Sequence, residues 1–357
     1  MNRNVLTRRS ILVGVALATL AAAGCASKEP TTTPSGAANE FASLSGAVKA
    51  SGASFPNAYY QKAIDEFLKV ADNADVTYNS VGSGTGKKEF GQGLTDFAGS
   101  DSTVKDTDGV ASGSFYYIPT VAAPITISYN LSGVDSLKLS GTTVGSIFGR
   151  KITKWNDPAI VADNPGVTLP DKAITVVHRS DGSGTTNNFT KFLVAAGGPG
   201  WTLGSGDSVA WAADTQGGDK NTGVAQLVKQ GDGAVGYVDF ADATASGLKF
   251  ASIKNKDGQF VAPSLDGATA ALAGAEVKDD LTYNPINAAG AATYPITAPT
   301  YLLLKTTYTD AAKAKLVKGF VRWLLTDGQS FAASVNFAKL PADLQQMALS
   351  QLNKVQG

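Results

Sequence analysis

Three clusters of glycine and hydroxyl residues have the composition of turns that bind small anions. They occupy residues 51–56, 82–86 and 181–185 and read Ser-Gly-Ala-Ser-Phe-Pro, Gly-Ser-Gly-Thr-Gly and Asp-Gly-Ser-Gly-Thr. Glycine lets the backbone approach a ligand closely, and hydroxyl groups donate hydrogen bonds. Where such a turn opens a helix, the free N–H groups and the positive end of the helix dipole favour an anion. Three such turns that converge on one point would form a site for a small oxyanion.

Two charged residues sharpen this prediction. Arg179 lies two residues before Asp181, and a guanidinium group suits bidentate contact with an oxyanion. Asp101 follows a β-like stretch of small residues. An acceptor-only carboxylate would match the O–H of monohydrogen phosphate, whereas sulfate would leave it unpaired and repelled. Leaving such a buried acceptor unmatched predicts roughly thousand-fold or greater discrimination between the two anions.

The same clusters have a purely structural interpretation. Serine, threonine, aspartate and glycine are favoured at helix N-caps for stability alone, and for any one cluster that explanation is the more common one. Other motif assignments fit less well. Residues 82–86 lack both the dinucleotide-loop spacing and the final Gly-Lys-Ser/Thr of a P-loop, and residues 182–184 do not form a nucleophile elbow.

The surrounding pattern predicts α/β elements that would position these turns. Short β-rich runs alternate with helical spacing, and each cluster lies between an extended stretch and a helical pattern. Strands are predicted at residues 76–78, 174–177, 234–238 and 301–304, and helices at 60–68, 189–193, 224–228, 316–324 and from Pro341 onward.

Length and composition exclude several classes of protein. The 357 residues suggest about two domains, and 43% hydrophobic with 17% charged residues excludes a disordered chain. One cysteine and one histidine exclude a disulfide scaffold and a zinc site built from Cys or His. Thirty basic residues against 30 acidic ones give no bulk attraction to nucleic acid. No cofactor and no metal are predicted.

The N-terminus has the pattern of an export signal. A basic start precedes the apolar run 11–23, which is too short to span a bilayer comfortably, so residues 1–24 are predicted to be a signal peptide. Cys25 follows Ala-Ala-Gly and resembles the lipidated cysteine of a bacterial lipobox, although Ala22 stands where leucine is usual. Residues 7–12 look like a twin-arginine signal, and an ordinary Sec signal fits equally well. Removal of residues 1–24 deletes three arginines and leaves a net charge of −3.

Residues 25–45 are predicted to be a flexible tether between a lipid anchor and a folded body. The segment is rich in Ser, Thr, Ala and Pro and has no apolar periodicity. One acyl chain binds a membrane only marginally, so stable anchoring at Cys25 would need more than one. The protein is therefore expected outside the cytoplasm, on the outer face of the cell membrane.

Over about residues 44–355 the sequence resembles the PstS family, the substrate-binding lipoproteins of bacterial high-affinity phosphate ABC transporters. The resemblance is carried by segments 52–56, 81–86, 96–101 and 179–185, with further agreement at 152–157, 233–238, 294–297 and 340–341. The block 179–185 together with Asp101 is its most specific part. Ser54 stands where the family commonly has threonine, which keeps the hydroxyl.

The resemblance implies a set of ligand contacts by position. Ser54 and Phe55 would bind phosphate at the first turn through hydroxyl and backbone N–H groups, and Ser83 would donate a hydroxyl at the second turn. Asp101 would accept the ligand's proton, and Arg179 would pair with the anion while Asp181 orients it. Donors at a helix start would come from Ser183, Gly184 and Thr185. Whether Thr85 also donates stays open.

The family fold implied is a two-lobed periplasmic-binding-protein architecture of type II, in which each lobe is an α/β sheet. Lobe I would comprise residues 46–126 and 297–357, lobe II residues 127–296, with two hinge strands between them. Phosphate would close the cleft between the lobes, and the closed, monomeric protein would meet a membrane permease that a cytoplasmic ATPase drives. No enzymatic activity is expected.

Three rival functions remain at this point: binding of another oxyanion or a phosphate ester, a secreted phosphatase, and a purely structural surface protein. Phosphatases usually require metal ligands or an activated nucleophile, and no general base is evident for Ser83 or Ser183 in the sequence. His178 is interpreted as a plain strand-end residue and the four tryptophans as packing residues. Lys87 and Lys88 are expected on a solvated helix face, or alternatively as a pair that steers anions.

Overall fold

A computed structural model describes residues 40–357 of the chain. The predicted signal peptide, Cys25 and most of the predicted tether lie outside the described residues. The tether predicted for residues 25–45 extends too far toward the C-terminus. Phe41 and Leu44 are buried, and the ring of Phe41 packs edge-on against that of Phe67. The packed body therefore already includes these residues before the first strand begins.

Within residues 40–357 the chain forms twelve strands and ten helices. The strands are β1 (Ser45–Gly52), β2 (Asn73–Ser80), β3 (Phe97–Ser100), β4 (Phe115–Asn130), β5 (Lys138–Leu139), β6 (Thr175–Arg179), β7 (Gln216–Gly218), β8 (Ala234–Asp239), β9 (Lys249–Phe250), β10 (Ser252–Lys254), β11 (Phe260–Val261) and β12 (Thr297–Lys305). The helices are α1 (Asn57–Phe67), α2 (Ser83–Gly91), α3 (Gly141–Phe148), α4 (Pro158–Asp163), α5 (Gly184–Ala196), α6 (Lys220–Gln230), α7 (Phe240–Ala245), α8 (Leu265–Ala273), α9 (Ala311–Leu325) and α10 (Ala342–Leu352). Short 3₁₀ turns lie at Asp106–Asp108, Gly198–Gly200, Asp327–Phe331 and Ala333–Val335.

The long strand β4 joins two halves of one curled sheet. The strand order is β2-β1-β3-β12-β4-β8-β6-β7, with β9 also paired to β4. The first part of β4 pairs antiparallel with β12, up to Pro124, and the rest pairs with β8 from Ile125 onward. The two-lobed α/β fold predicted from the sequence is confirmed, whereas the exact lobe boundaries stay a prediction.

Parallel strands in each half bring their carboxyl ends to one edge. Strands β2 and β3 both run parallel to β1, and β7 and β8 both run parallel to β6. Ligands of open α/β sheets bind in the crevice outside such carboxyl ends. The three glycine-hydroxyl clusters and Asp101 lie at or just after the carboxyl ends of β1, β2, β3 and β6, so the sheet topology brings these residues to one edge.

The helices pack through the apolar stripes that their sequences carry. The apolar residues predicted within 316–324 are buried in α9, and Asp310 caps this helix by accepting a hydrogen bond from the Lys313 N–H at 3.1 Å. The Phe320 ring lies 5.2 Å from that of Phe67 on α1, edge to face. The strands and helices predicted around the three clusters are confirmed, with Pro341 preceding α10 by one residue.

Within residues 40–357, none of the helices combines the length and the apolarity that crossing a bilayer requires.

Candidate functional site

The three clusters each connect a strand to a helix, but helix capping accounts for only one of them. Ser183 caps α5, because its Oγ accepts a hydrogen bond from the N–H of Thr186 at 3.0 Å. The residues that precede α1 and α2, Pro56 and Gly82, make no side-chain capping bond. The hydroxyl groups of the first two clusters are therefore not explained by helix stability.

The clusters are in direct contact with one another. The N–H of Gly82 donates to the carbonyl oxygen of Gly52 at 2.8 Å, which joins the first cluster to the second. The N–H of Gly84 donates to the carbonyl oxygen of Gly182 at 2.9 Å, which joins the second to the third. Gly82 has φ +86°, and a Cβ there would lie 2.4 Å from Oδ2 of Asp181, so no other residue fits this junction.

Gly184 lies against residues that belong to the other half of the molecule. A Cβ built on it would lie 2.5 Å from the Ser83 Oγ, 2.6 Å from the Asp101 Cβ and 2.7 Å from the Asp101 Oδ2. Ser83 begins α2 and Asp101 follows β3, whereas Gly184 begins α5 in the other half. Three of the predicted site residues, from both halves, thus converge on one point.

Asp101 is a fully buried carboxyl group with few hydrogen bonds. Its Oδ1 accepts from the Thr300 Oγ1 at 2.7 Å, and the Ser83 Oγ lies 3.5 Å from its Oδ2. Burial raises the pKa of Asp101 to about 7, although the Thr300 bond and the Arg179 charge both act in the opposite direction. Such a group changes its protonation state near neutral pH, and it can then either accept or donate a hydrogen bond.

Arg179 is buried at the end of β6 and is held by Asp181. Its Nε lies 2.7 Å from Oδ1 of Asp181 and its Nη2 lies 2.5 Å from Oδ2, while Nη1 donates to the Thr185 Oγ1 at 3.3 Å. Burial alone would raise the pKa of Asp181, but the Arg179 guanidinium and the Lys220 N–H, which donates to Oδ1 at 3.2 Å, hold it below its usual value. This bidentate ion pair fixes the guanidinium in one orientation and balances much of its charge.

The first cluster joins the site through a residue that sequence reasoning missed. The Asn221 Nδ2 donates to the Ser54 Oγ and to the Thr185 Oγ1, both at 3.2 Å, and Asn221 is completely buried. Phe55 is buried as well, with its ring 5.7 Å from that of Phe337, and its backbone N–H has no acceptor among the described residues. The hydroxyl groups of Ser54 and Thr185 therefore lie on either side of one amide.

Two further buried residues orient Asp101 and were not predicted: Thr300, on β12, and Asn188, whose Nδ2 donates to the Asp101 carbonyl oxygen at 2.6 Å. A signal existed for Asn221, because residues 217–223 repeat the strand, glycine turn and helix pattern of the other clusters. For Thr300 the only signal is a hydroxyl in a mostly apolar strand that also contains Thr297, and such residues are common.

The expectation of a solvated face at Lys87 is wrong, although Lys88 is exposed as predicted. The Lys87 side chain is fully buried, because Asp108 and Asp207 both approach its ammonium group.

His178 is half-buried, with Nδ1 2.8 Å from the Arg179 carbonyl oxygen and its ring stacked on Trp211. The other three tryptophans are buried in the core, as predicted.

The assembled site offers hydrogen-bond donors suited to a small anion. Hydroxyl groups, backbone N–H groups at helix starts and one arginine that is already paired supply the donors. Among residues 40–357 no group of three or more His, Cys, Asp or Glu side chains could hold a metal ion. Of the two acidic residues predicted for the site, Asp101 lies against Ser83, whereas Asp181 pairs with Arg179.

The chain is similar in sequence to known phosphate-binding proteins. A family model for the PBP superfamily domain matches residues 29–328. A phosphate-binding protein PstS from Xylella fastidiosa (strain 9a5c) is 34% identical over 320 residues, covering 88% of this chain and 86% of the relative. A phosphate-binding protein PstS from Pasteurella multocida is 37% identical over 310 residues, covering 85% and 89%.

The fold has close counterparts among solved structures. A high-affinity periplasmic phosphate-binding protein, solved with bound phosphate at pH 8.5, superposes with a TM-score of 0.71 at 23% identity, covering 85% of this chain and 93% of that one. At this identity the match establishes the shared two-lobed architecture.

Proposed function

Because this chain belongs to the PBP superfamily and, within it, to the PstS family of phosphate-binding proteins, we propose that it captures inorganic phosphate between its two lobes for import. The observation that carries the proposal is the buried Asp101, which lies against Ser83 and Gly184 where the three clusters meet. Phosphate is a small oxyanion that carries a proton at neutral pH, and this site combines donors for its oxygens with one acceptor for that proton.

The donors come from both lobes. Ser54, Phe55 and Ser83 would bind from one side through hydroxyl and backbone N–H groups, and Asp101 would accept the ligand's proton. From the other side Arg179 would pair with the anion while Asp181 orients it, and Ser183, Gly184 and Thr185 would supply N–H and hydroxyl donors. The N–H groups of Gly184 and Thr185 stand in the first turn of α5, where they have no partner within the helix. Phosphate bound in this way would hold the lobes together.

We propose a hinge where the chain crosses between lobe I (46–126 and 297–357) and lobe II (127–296). Strand β4 exchanges β12 for β8 between Pro124 and Ile125. The N–H of Ile125 donates to the carbonyl oxygen of Ile296 at 2.7 Å, so the two crossing segments lie side by side. This pairing supports a hinge of two strands.

The pKa of Asp101 gives the proposal a pH dependence. Protonated Asp101 has an O–H to donate to sulfate, whereas its carboxylate has none. Because its pKa is raised to about 7, we expect the affinity for sulfate to fall about ten-fold per pH unit well above pH 7 and to level off below it. Calorimetric titrations with sulfate at pH 6, 7, 8 and 9 measure this profile.

The Asp101→Asn variant is the control for that profile, since it has no proton to lose and its sulfate affinity should not follow this curve. If the wild-type protein binds sulfate equally at all four pH values, Asp101 does not face the ligand.

We infer that the protein does not hydrolyse phosphate esters. The Ser183 Oγ is engaged as a helix cap, and the Ser83 Oγ accepts from the Asp101 N–H at 3.3 Å and lies 3.5 Å from the Asp101 carboxyl. Neither hydroxyl has a histidine beside it, because His178 contacts the Arg179 carbonyl oxygen and Trp211. Release of p-nitrophenol from p-nitrophenyl phosphate by metal-free protein would overturn this inference.

We propose that the protein works as a monomer outside the cytoplasm and delivers phosphate to a membrane permease with a cytoplasmic ATPase. Residues 1–24 act as a signal peptide and Cys25 carries the lipid that anchors the protein to the cell membrane. In a bacterial host, wild-type protein should incorporate labelled palmitate and sediment with membranes. The Cys25→Ser variant should do neither, while Ser27→Ala should behave as wild type. Unlabelled wild-type protein in the soluble fraction would contradict the anchor.

A further inference from the structure

A buried lysine links the two halves of the molecule outside the proposed phosphate contacts. The Lys87 Nζ lies 2.8 Å from the Asp108 Oδ2 and 2.9 Å from the Asp207 Oδ2. It also donates to the Ser102 Oγ and to the Thr103 carbonyl oxygen, both at 3.2 Å. The Lys87 side chain has no exposed surface, so its charge is stabilised entirely by these oxygens.

The two carboxylate oxygens of Asp207 contact different halves of the molecule. Oδ1 accepts from the Asn187 Nδ2 at 2.9 Å, and Asn187 lies on α5 in the same half as Asp207. Oδ2 accepts from Lys87 and from the Ser102 Oγ, at 2.9 and 3.0 Å, and both donors belong to the half built around β1, β2 and β3. One carboxylate thus bridges the cleft.

We propose that the Asp207–Lys87 ion pair is a latch that holds the cleft closed and sets the rate at which bound phosphate leaves, an inference that rests on the proposed function. The latch adjoins the phosphate site on both sides. Ser102 directly follows Asp101, and the Asp207 carbonyl oxygen accepts from the Ser183 N–H at 2.8 Å.

Opening the cleft would break the latch, but Lys87 would keep an ion pair and Asp207 would keep a hydrogen bond. Lys87 would keep Asp108, and Asp207 would keep Asn187, since both of these contacts lie within one half. Breaking a buried pair is costly mainly when it leaves an uncompensated charge. The retained partners make this latch reversible, as repeated capture and release require.

The test compares two carboxylates that contact the same ammonium group. Asp207→Asn removes the charge that crosses the cleft, whereas Asp108→Asn removes a charge within one half. We expect Asp207→Asn to speed the dissociation of labelled inorganic phosphate, chased with unlabelled phosphate, by about ten-fold or more. Asp108→Asn should lower the melting temperature with little change in that rate, and Lys88→Met, on the exposed face of α2, should change neither.

A rate increase confined to Asp207→Asn supports the latch, and equal rates for Asp207→Asn, Asp108→Asn and wild type overturn it. If Asp207→Asn does not fold, the double variant Lys87→Met/Asp207→Asn removes both charges and is expected to show the same faster release. A wild-type rate in the double variant overturns the latch.

If wild-type protein binds no phosphate, the proposed function fails, and small-angle X-ray scattering of the ligand-free proteins then decides the latch. A larger radius of gyration for Asp207→Asn than for wild type supports it, and identical radii overturn it.

Discussion

Replacing Asp101 with asparagine is expected to reduce the preference for phosphate over sulfate by roughly a thousand-fold. The variant can keep the Thr300 hydrogen bond through its amide oxygen, but it presents an N–H₂ group where the wild type presents Oδ2. Sulfate has only acceptors, so it gains a hydrogen bond and loses the repulsion of a buried carboxylate. Phosphate also loses that repulsion, but its O–H loses its acceptor.

Competition calorimetry at pH 8 measures this effect, because Asp101, with a pKa of about 7, is then mostly ionised in the wild type. The matched control is Asp171→Asn, which removes an exposed carboxylate that pairs with Lys154 and should leave the selectivity unchanged. A preference in Asp101→Asn equal to that of the wild type would mean that sulfate is rejected by another group.

Replacing Gly184 with alanine is expected to weaken phosphate binding by about a hundred-fold or more without destabilising the ligand-free fold. The added Cβ would lie 2.5 Å from the Ser83 Oγ and 2.6 Å from the Asp101 Cβ, so the lobes could not close as far. In an open cleft these atoms are apart, and alanine is the better helix former at the start of α5. Calorimetry with phosphate and the melting temperature of the ligand-free protein report the two effects separately.

Gly274→Ala is the control for this substitution, because a Cβ on Gly274 would meet nothing within 4 Å. It should bind phosphate as the wild type does. Wild-type affinity in Gly184→Ala would place the ligand away from the junction of the three clusters.

The local parts of this architecture could be predicted from the sequence because they depend on neighbouring residues. Alternating apolar residues, helical spacing and glycine turns identified the strands and helices around each cluster. The sequence also shows Arg179 at the end of strand β6 with Asp181 and Ser183 directly after it, since these residues lie close together in the chain. These features explain why the fold class and the positions of the turns agree with the structure.

The parts that could not be predicted depend on residues far apart in the chain. Lys87 is buried because Asp207 approaches it across the cleft, and nothing near Lys87 in the sequence indicates that contact. Thr300 reaches Asp101 only because β12 pairs antiparallel with β3. The raised pKa of Asp101 is likewise a product of burial in the folded protein, so its ability to titrate near pH 7 has no local sequence signal.

The most direct test of the central proposal is calorimetric titration of the folded body, freed of the signal and anchor, with phosphate and with sulfate at pH 8. We expect one phosphate per chain and an affinity for phosphate at least a thousand-fold greater than that for sulfate. Equal affinities for the two anions, or no binding of phosphate, would contradict the assignment of Asp101 and the three clusters as a phosphate site.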